Sequence, residues 1–401
     1  MKVEPFALER WMTRHELRAR YNIAESGILP LRLADLLGWL PPDERRDTLD
    51  RLVQMPLDYC EAVGTHELRS LIAATYVGCD PDNILVTAGA IEANFLLFNA
   101  LLDPGDHVVV PYPAYQQLYS VPRALGCDVS LWKVGPESGD RYDTDGLARL
   151  LRPNTRLVVV NSPHNPTGAV LPPEGARRVY ALAESVGARV ISDEVYRWLT
   201  VPGGDPIAPP MFEHGPRGLS VGTVSKPFGL PGLRIGWIAA PVDVVSACVA
   251  LRDYVSLSPG RLNDAIAQLA LRHRERIIER NTQIIAANLR ATAQWIARHA
   301  PILSWTPPRG GLLALLRYQL EIPSLDLADR LATEHGVMLA PGSAFGYEHH
   351  LRIGIGQDPD VFQAGLDAAS RCFARLREEG VDGRAPAVGV QHSGDSRRRD
   401  P

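Results

Sequence analysis

Lysine is almost absent from this sequence. Lys2, Lys133 and Lys226 are the only three, so 39 of the 42 basic side chains in the 401-residue chain are arginines. A compositional bias of the genome is enough to explain that preference. It does not explain Lys226, which lies in the apolar, glycine-rich segment "GTVSKPFGLPGLRIGW" (222–237), where the sequence predicts burial. A lysine in such a segment needs a chemical reason.

The sequence also has little net charge, few cysteines and no long apolar run. The formal net charge is −4 and the pI is near 6.3, which gives no basic field and argues against nucleic acid as a main partner. The five cysteines are odd in number, scattered and without metal-ligand spacing, so they predict reduced thiols in a cytoplasmic protein and no metal site. No apolar run approaches the ~20 residues of a membrane span, and the charged, amphipathic N-terminus is unlike a signal peptide.

Short β-forming runs alternate with helical stretches from about residue 57 to 260. Several runs consist of consecutive Val, Ile and Leu residues, as expected of strands that are covered on both faces. Strand, helix and strand in repetition predict an α/β sheet, mostly parallel, with functional loops at the carboxyl ends of the strands. The strand-like runs are "NILVTAG", "DHVVVPYP", "RLVVVNSP", "ARVISDE", "GLSVGTVSK" and "RIGWIAAP".

The pattern changes in the last third of the chain. Residues 262–300 contain no glycine or proline and predict one or two long helices, and "GGLLALLRY", "LDLADRLATEH" and "HHLRIGIGQ" predict a smaller α+β unit. We expect an N-terminal segment (1–50) that joins the small domain, a large ligand-binding domain (51–260), a small C-terminal domain (261–380) and a disordered tail (381–401).

Lys226 has two interpretations. A lone lysine is usually salt-bridged, or it extends along apolar surface with its charge in water. Unlike a guanidinium, however, an amine can lose its proton and condense with an aldehyde to form a Schiff base. The loops that surround this lysine in the predicted fold favour the second interpretation.

Polar side chains follow two of the predicted strands. "SPHNPTG" (162–168) comes after "RLVVVN", and "DEVY" (193–196) comes after "ARVIS", so both lie where α/β proteins bind ligands. Asp193 at a strand end can hold the N–H of a pyridinium ring. Asn165 and Tyr196 can donate hydrogen bonds to a phenolate oxygen on such a ring.

Two further motifs match a flat, phosphorylated ligand. "TAGAIEA" (87–93) places a glycine between a strand and a helix start, whose free N–H groups suit a phosphate. "YPAY" (112–115) supplies Tyr115, a ring that can stack on a planar group. Each motif alone is more often a turn, a helix cap or a packing residue. Their occurrence in this order, with the lysine segment after them, predicts one composite site.

With these motifs the sequence resembles the class I/II aminotransferases, pyridoxal-phosphate enzymes of fold type I. The resemblance extends from about residue 20 to 378 and rests on "YCEAVGTHELR", "TAGAIEA", "PYPAY", "NSPHNPTG", "DEVY", "SKPFGLPGLRIGW" and "LRIGIG". It implies a large domain with a mixed, mostly parallel sheet, a small α+β domain, and pyridoxal 5′-phosphate as the cofactor.

The resemblance also implies roles for residues around the cofactor ring. Lys226 would form the Schiff base and then carry a proton between Cα of the substrate and C4′ of the cofactor. Asp193 would pair with the pyridine nitrogen, while Asn165 and Tyr196 would contact the ring oxygen. Tyr115 would stack on the ring.

Further residues would bind the phosphate and the substrate. By the same resemblance, the phosphate ligands would be the backbone at Ala90 and Ile91, together with Thr223 and Arg234. Tyr59 would reach the phosphate of a neighbouring subunit, which implies a homodimer with shared active sites. Arg352 would bind the substrate α-carboxylate as a bidentate fork, and Asn165 would also contact the substrate.

The N-terminal segment departs from the common aminotransferase pattern. "LERW", "NIAESG" and "LRDYVSLSPGRLND" are similar to a subgroup that acts on arginine and its hydroxylated derivatives and that includes capreomycidine synthase, a cyclase of 3-hydroxyarginine. This similarity implies an enzyme of specialised metabolism such as antibiotic biosynthesis. A guanidinium substrate needs a carboxylate, and we expect Glu25 to supply it. The alternative for Glu25 is an exposed charge near a helix end.

Two other functions compete with a cyclase. The intact "DEVY" motif is that of ordinary aminotransferases, so transfer of an α-amino group to a 2-oxo acid is a serious alternative. A non-catalytic, effector-sensing domain of the same fold is disfavoured, because such domains are fused to a basic DNA-binding module and no length remains for one here.

Overall fold

The computed structural model describes residues 2–379, so the predicted disordered tail lies outside the described residues. The helices are α1 Ala7–His15, α2 Leu33–Gly38, α3 Pro42–Val53, α4 His66–Ala73, α5 Ala90–Leu101, α6 Gln117–Ala124, α7 Thr144–Leu150, α8 Pro173–Ser185, α9 Val242–Arg252, α10 Arg261–Arg272, α11 Arg274–Arg298, α12 Ser324–Glu334 and α13 Pro359–Glu378. The strands are β1 Tyr21–Asn22, β2 Ile84–Thr87, β3 His107–Tyr112, β4 Asp128–Lys133, β5 Thr155–Asn161, β6 Arg189–Asp193, β7 Gly218–Thr223, β8 Gly236–Ala239, β9 Leu303–Trp305, β10 Leu313–Tyr318, β11 Val337–Met338, β12 Ala340–Pro341 and β13 His350–Gly354.

Seven strands form the large sheet in the order β2-β8-β7-β6-β5-β3-β4. Only β8 runs antiparallel to its neighbours, so the predicted mixed, mostly parallel α/β sheet is confirmed. Every strand-like run named above forms a strand of this sheet. The sequence analysis missed β4, an edge strand whose alternation of polar and apolar residues is weak.

The continuous apolar runs are explained by helices on both faces of the sheet. In β5, Leu157 and Val159 pack on the side of α5, α6 and α9, while Val158 and Val160 pack on the side of α7 and α8. Side chains of a strand point alternately to opposite faces, so covering both faces requires an apolar residue at every position. The result is a rigid sheet whose carboxyl edge can hold polar groups in fixed positions.

The C-terminal part contains a second sheet of four antiparallel strands in the order β12-β13-β10-β9. Residues 262–300 form α10 and α11, in agreement with the prediction of one or two long helices. The N-terminal segment lies against this part, since β1 pairs with β11 and Trp11 donates a hydrogen bond of 2.8 Å to Asp329 on α12. The exact domain boundaries remain a prediction.

The topology brings the candidate residues together. Asn161 ends β5 beside Asp193 at the end of β6, and Thr223 ends the next strand, β7. These three strand ends are adjacent because β5, β6 and β7 are neighbours in the sheet. Between residues 2 and 379 no helix has the length and apolar character needed to cross a membrane.

Candidate active site

A cavity of about 400 Å³ opens at the carboxyl edge of the large sheet. The predicted site residues that line it are Ala90, Ile91, Tyr115, Asn165, Asp193, Tyr196, Thr223, Lys226 and Arg234. Glu25 and Arg352 contact residues of this group, as described below. Tyr59 does not line the cavity of its own chain.

Lys226 lies in this cavity, and its side chain is 27% exposed. The segment around it is buried as predicted, since Val224 and Phe228 are fully enclosed, but the amine itself faces open space. Its Nζ donates a hydrogen bond of 2.8 Å to Oγ of Ser26 and lies 3.5 Å from Oε1 of Glu25. The lysine therefore does have a salt-bridge partner, and it is also accessible to a ligand.

Asp193 is buried at the base of the cavity. Asn94 donates a hydrogen bond of 3.0 Å to its Oδ2, and the amide of Val195 donates one of 3.3 Å to its Oδ1. Burial raises the pKa of Asp193 to about 6, and these two hydrogen bonds only partly oppose the shift. A carboxylate in this position gains from a cationic N–H partner, which would restore its ordinary ionisation.

Arg352 is a buried guanidinium on β13 with an incomplete set of partners. Its Nη1 donates to Oδ1 of Asn165 at 3.2 Å, and its Nη2 donates to the carbonyl of Ala24 at 2.8 Å. Its Nε has no hydrogen-bond partner among residues 2–379. Since unpaired buried donors are costly, this donor fits an anion supplied by a ligand.

The start of α5 and the Arg234 side chain meet at one end of the cavity. Gly89 precedes α5 with a φ of +86°, and a Cβ there would lie 2.5 Å from Nη2 of Arg234. The guanidinium is fixed over this turn by a hydrogen bond of 3.1 Å from Nη2 to the carbonyl of Ala88. Ala90 and Ile91 supply the first amides of the helix, where the helix dipole favours an anion.

Thr223 is less free than predicted. Its hydroxyl donates to the carbonyl of Ile235 at 2.8 Å and accepts from the amide of Ser225 at 3.0 Å. Ser225 also lines the cavity, so its hydroxyl is a second candidate phosphate ligand. The sequence could have indicated that Ser225 lies at the site, because this residue directly precedes Lys226.

Tyr115 lies on the wall of the cavity beside the N-terminal segment. Its ring packs against Phe6, with centroids 4.8 Å apart, and its hydroxyl donates to Oε1 of Glu9 at 3.1 Å. Glu9 and Arg10 themselves line the cavity from α1. Sequence reasoning missed both, because their approach to Tyr115 spans more than a hundred residues of chain.

Tyr59 is 81% exposed and is joined to Gly260 by an isolated antiparallel bridge. Its predicted role at the phosphate of a second subunit therefore remains a prediction. Other residues that sequence reasoning missed are the cavity-lining polar side chains Ser26, Asn94, Asn161 and Gln117.

The residues present fit pyridoxal phosphate. The cavity combines an amine for the aldehyde (Lys226), a buried carboxylate for the ring nitrogen (Asp193) and a helix start with an arginine for the phosphate (Arg234). Asn94 adds support, because it holds the Asp193 carboxylate through its amide group from the same helix that presents the phosphate-binding amides. The aldehyde, the ring nitrogen and the phosphate of the cofactor each have a counterpart.

Comparison with known proteins identifies the family. The sequence model of the family "Aminotransferase class I and II" matches residues 50–368. The chain belongs to this family, it is an enzyme with the aminotransferase fold, and its cofactor is pyridoxal 5′-phosphate.

Three individual proteins are similar to this chain over nearly its whole length. Capreomycidine synthase of Streptomyces vinaceus is 35% identical over 377 residues, covering 93% of this chain and 96% of that protein. The PLP-dependent cyclase OrfR has a solved structure that matches with a TM-score of 0.85 and 35% identity, covering 94% of this chain and 98% of that one. A PLP-dependent aminotransferase from Streptococcus suis matches with a TM-score of 0.87 and 35% identity, covering 94% and 99%.

Proposed function

We propose that this enzyme cyclises a hydroxylated arginine, with loss of the Cβ hydroxyl and intramolecular addition of the guanidine. The observation that carries this proposal is Glu9, a carboxylate that lines the cavity together with Asp193; Glu25, beside Lys226, is a second carboxylate nearby. A cationic side chain requires such groups. The similarity to capreomycidine synthase and to a PLP-dependent cyclase supports the same reaction class.

Arg352 would bind the α-carboxylate of the substrate. Its buried Nε has no hydrogen-bond partner within the described part of the chain, and Asn165 accepts a hydrogen bond from Nη1. The α-carbon would then lie within reach of Lys226. The Nζ of this lysine would give up its hydrogen bond to Ser26 and contact the substrate instead.

The guanidinium of the substrate would be held by Glu9 or Glu25. Among residues 2–379 the Glu9 carboxylate is bound only by the hydroxyl of Tyr115, whereas Glu25 already faces two cations, Lys226 and Arg352. Comparing the binding of arginine with that of an uncharged analogue such as norleucine in Glu9→Gln and Glu25→Gln separates the two. The variant that loses the preference for arginine identifies the guanidinium-binding carboxylate.

The bound cofactor supplies an electron sink for the α-carbon. Lys226 would remove the α-proton, and the electron pair of that bond forms the Cα–Cβ double bond as the Cβ–O bond breaks. The hydroxyl leaves with a proton as water. A guanidine nitrogen of the same molecule then adds to Cβ and loses a proton, while Lys226 returns a proton to Cα. Enforced proximity within one bound molecule favours this addition.

The functional unit in this proposal is a homodimer in the cytoplasm with shared active sites. Tyr59 would reach the phosphate of the second subunit, which agrees with its exposure and its distance from the cavity of its own chain. All five cysteines are free, as expected in a reducing compartment.

A conventional aminotransferase is the second candidate. Asp193 and Tyr196 line the cavity within an intact "DEVY" motif, and the arginine–pyruvate transaminase of Pseudomonas aeruginosa is 28% identical over 378 residues, 91% of this chain and 95% of that protein. This candidate differs from the cyclase in needing an amino acceptor.

Incubation of the holoenzyme with 3-hydroxyarginine, and separately with arginine, distinguishes the two. A cyclic amino acid formed without any 2-oxo acid supports the cyclase. A 2-oxo acid product together with the pyridoxamine form of the cofactor supports amino transfer and contradicts the cyclase.

A further inference from the structure

Glu25 lies next to the amine that is expected to carry the cofactor. Its Oε1 is 3.5 Å from Nζ of Lys226, while the neighbouring residue Ser26 accepts a hydrogen bond from the same nitrogen at 2.8 Å. Both residues belong to the segment "NIAESG", so one short turn supplies a charge and a hydroxyl to a single nitrogen atom. This arrangement joins the N-terminal segment to the end of β7, two hundred residues further along the chain.

The charges around Glu25 fix its ionisation. The titratable and charged groups that face it are the Lys226 amine, the Arg352 guanidinium and the phenol of Tyr196, from three different elements. Burial by itself would raise the pKa of Glu25, but the positive charges of Lys226 and Arg352 outweigh it, so the pKa lies below its ordinary value. The side chain is half-buried and therefore presents a permanent negative charge to Lys226 at neutral pH.

The contact with Lys226 gives this charge a task that is separate from substrate recognition. The positive charges of Lys226 and Arg352 already lower the pKa of Glu25, so this carboxylate has less to gain from a third cation. It also lies at the nitrogen that must hold a proton in one state of the enzyme and release it in another.

We propose that Glu25 is a positioning residue for Lys226 that stabilises the proton on the lysine nitrogen when that nitrogen is linked to the cofactor. This inference rests on the proposed attachment of the cofactor to Lys226. It does not depend on whether the enzyme cyclises its substrate or transfers an amino group. Ser26 assists by fixing the direction of the nitrogen.

The test is a pH titration of the visible absorbance of the holoenzyme without substrate, because the colour of the linked cofactor depends on the proton in question. In Glu25→Gln the midpoint is expected to fall by about 1 pH unit, the effect of removing one opposite charge at this distance. Glu25→Asp keeps the charge but moves it away by one methylene, and its midpoint is expected to lie between the two. Glu9→Gln is the matched control: it removes a carboxylate that contacts Tyr115 instead of Lys226, and its midpoint is expected to stay near that of the unaltered enzyme.

An unchanged midpoint in Glu25→Gln, or an equal fall in Glu9→Gln, would overturn the proposal. The absorbance midpoint of the unaltered enzyme can lie above the accessible pH range. In that case Glu25→Gln is expected to bring the midpoint into the range, and a variant that shows no midpoint there overturns the proposal as well. Glu25→Ala replaces Glu25→Gln if the latter does not fold with bound cofactor. Borohydride reduction of the same samples separates the attachment of the cofactor from the role of Glu25. A label at a residue other than Lys226 refutes the attachment. A label at Lys226 together with an unshifted midpoint refutes only the role of Glu25.

Discussion

At the scale of one residue, the burial of Asp193 opposes the ionisation that pairing with a cationic ring nitrogen would require. Burial raises its pKa from the ordinary 3.8 to about 6. In the apoenzyme the folded protein thus retains a proton that the unfolded chain releases between these two pH values. The cofactor's ring nitrogen would supply the missing positive partner.

Asp193→Asn is expected to stabilise the apoenzyme in a pH-dependent manner. The stability that protonated Asp193 contributes is fully present below about pH 4 and is lost as the pH rises through about 6. The difference in unfolding free energy between Asp193→Asn and the unaltered apoenzyme should therefore grow over this window and level off at roughly 3 kcal/mol. Denaturant unfolding at a series of pH values measures it, and a difference that stays constant with pH would contradict the account.

Single residues show most clearly which parts of the site the sequence predicts. Asp193, Lys226 and Arg234 were predictable because each follows a strand or a glycine turn in one short motif, and all three line the cavity. The positions of Glu9 and Glu25 were not, because they depend on how the N-terminal segment folds back across the molecule. Glu25 illustrates the limit: its role as a carboxylate for the substrate stays a prediction, and nothing in the sequence indicated the contact with Lys226 that the structure shows.

At the scale of elements, α1 is the part that connects the two halves of the protein across the cavity. Glu9 on this helix accepts a hydrogen bond from Tyr115 of the large domain. At its other side, Trp11 and His15 both contact Oδ1 of Asp329 on α12, at 2.8 and 2.9 Å. Asp329 is therefore one of the contacts that anchor α1 at the cavity wall, together with the buried side chains of Leu8 and Met12.

Asp329→Ala is expected to loosen α1 with a moderate loss of stability. Removing the shared acceptor leaves the Trp11 indole N–H and the His15 ring without this partner, at a cost of about 1 kcal/mol in unfolding free energy. The KM for the amino acid substrate should rise by a larger factor than kcat falls, because Lys226 and Asp193 are untouched. Steady-state kinetics and thermal unfolding check this.

Asp326→Ala is the control for that substitution, since this residue lies on the same helix, in its first turn. We expect it to leave KM near that of the unaltered enzyme. An equal rise of KM in both variants would show that α12 as a whole, and not the anchor of α1, is responsible.

The secondary-structure elements were easier to predict from the sequence than the contact between α1 and Asp329. The strands β5, β6 and β7 followed from their apolar runs, whereas the edge strand β4 lacked such a run and was missed.

At the scale of the whole molecule, the proposed homodimer makes a prediction about mixtures of variants. Lys226→Ala lacks the attachment residue, and Tyr59→Ala lacks the residue proposed to serve the second subunit. In a mixed dimer, one of the two sites combines an intact lysine with an intact tyrosine. Mixing the two inactive proteins under conditions that allow subunit exchange should therefore restore about a quarter of the activity of the unaltered enzyme, because half of the dimers are mixed and each has one complete site.

Each variant alone, subjected to the same exchange procedure, provides the control. Absence of any recovery, with mixed dimers demonstrated by mass spectrometry, would show that Tyr59 acts within its own chain or not at all. Size-exclusion chromatography with light scattering tests the dimer itself.

The attachment of the cofactor to Lys226 is the claim on which the other roles depend. The scarcity of lysine makes its test unusually direct, because the only other lysines are Lys2 and Lys133, and Lys133 lies exposed beside Glu137. Reduction of the holoenzyme with borohydride, followed by digestion and peptide mass spectrometry, locates the modified side chain. We predict a single pyridoxyl label on the peptide that contains Lys226; a label on Lys2 or Lys133 with Lys226 unmodified would contradict the account.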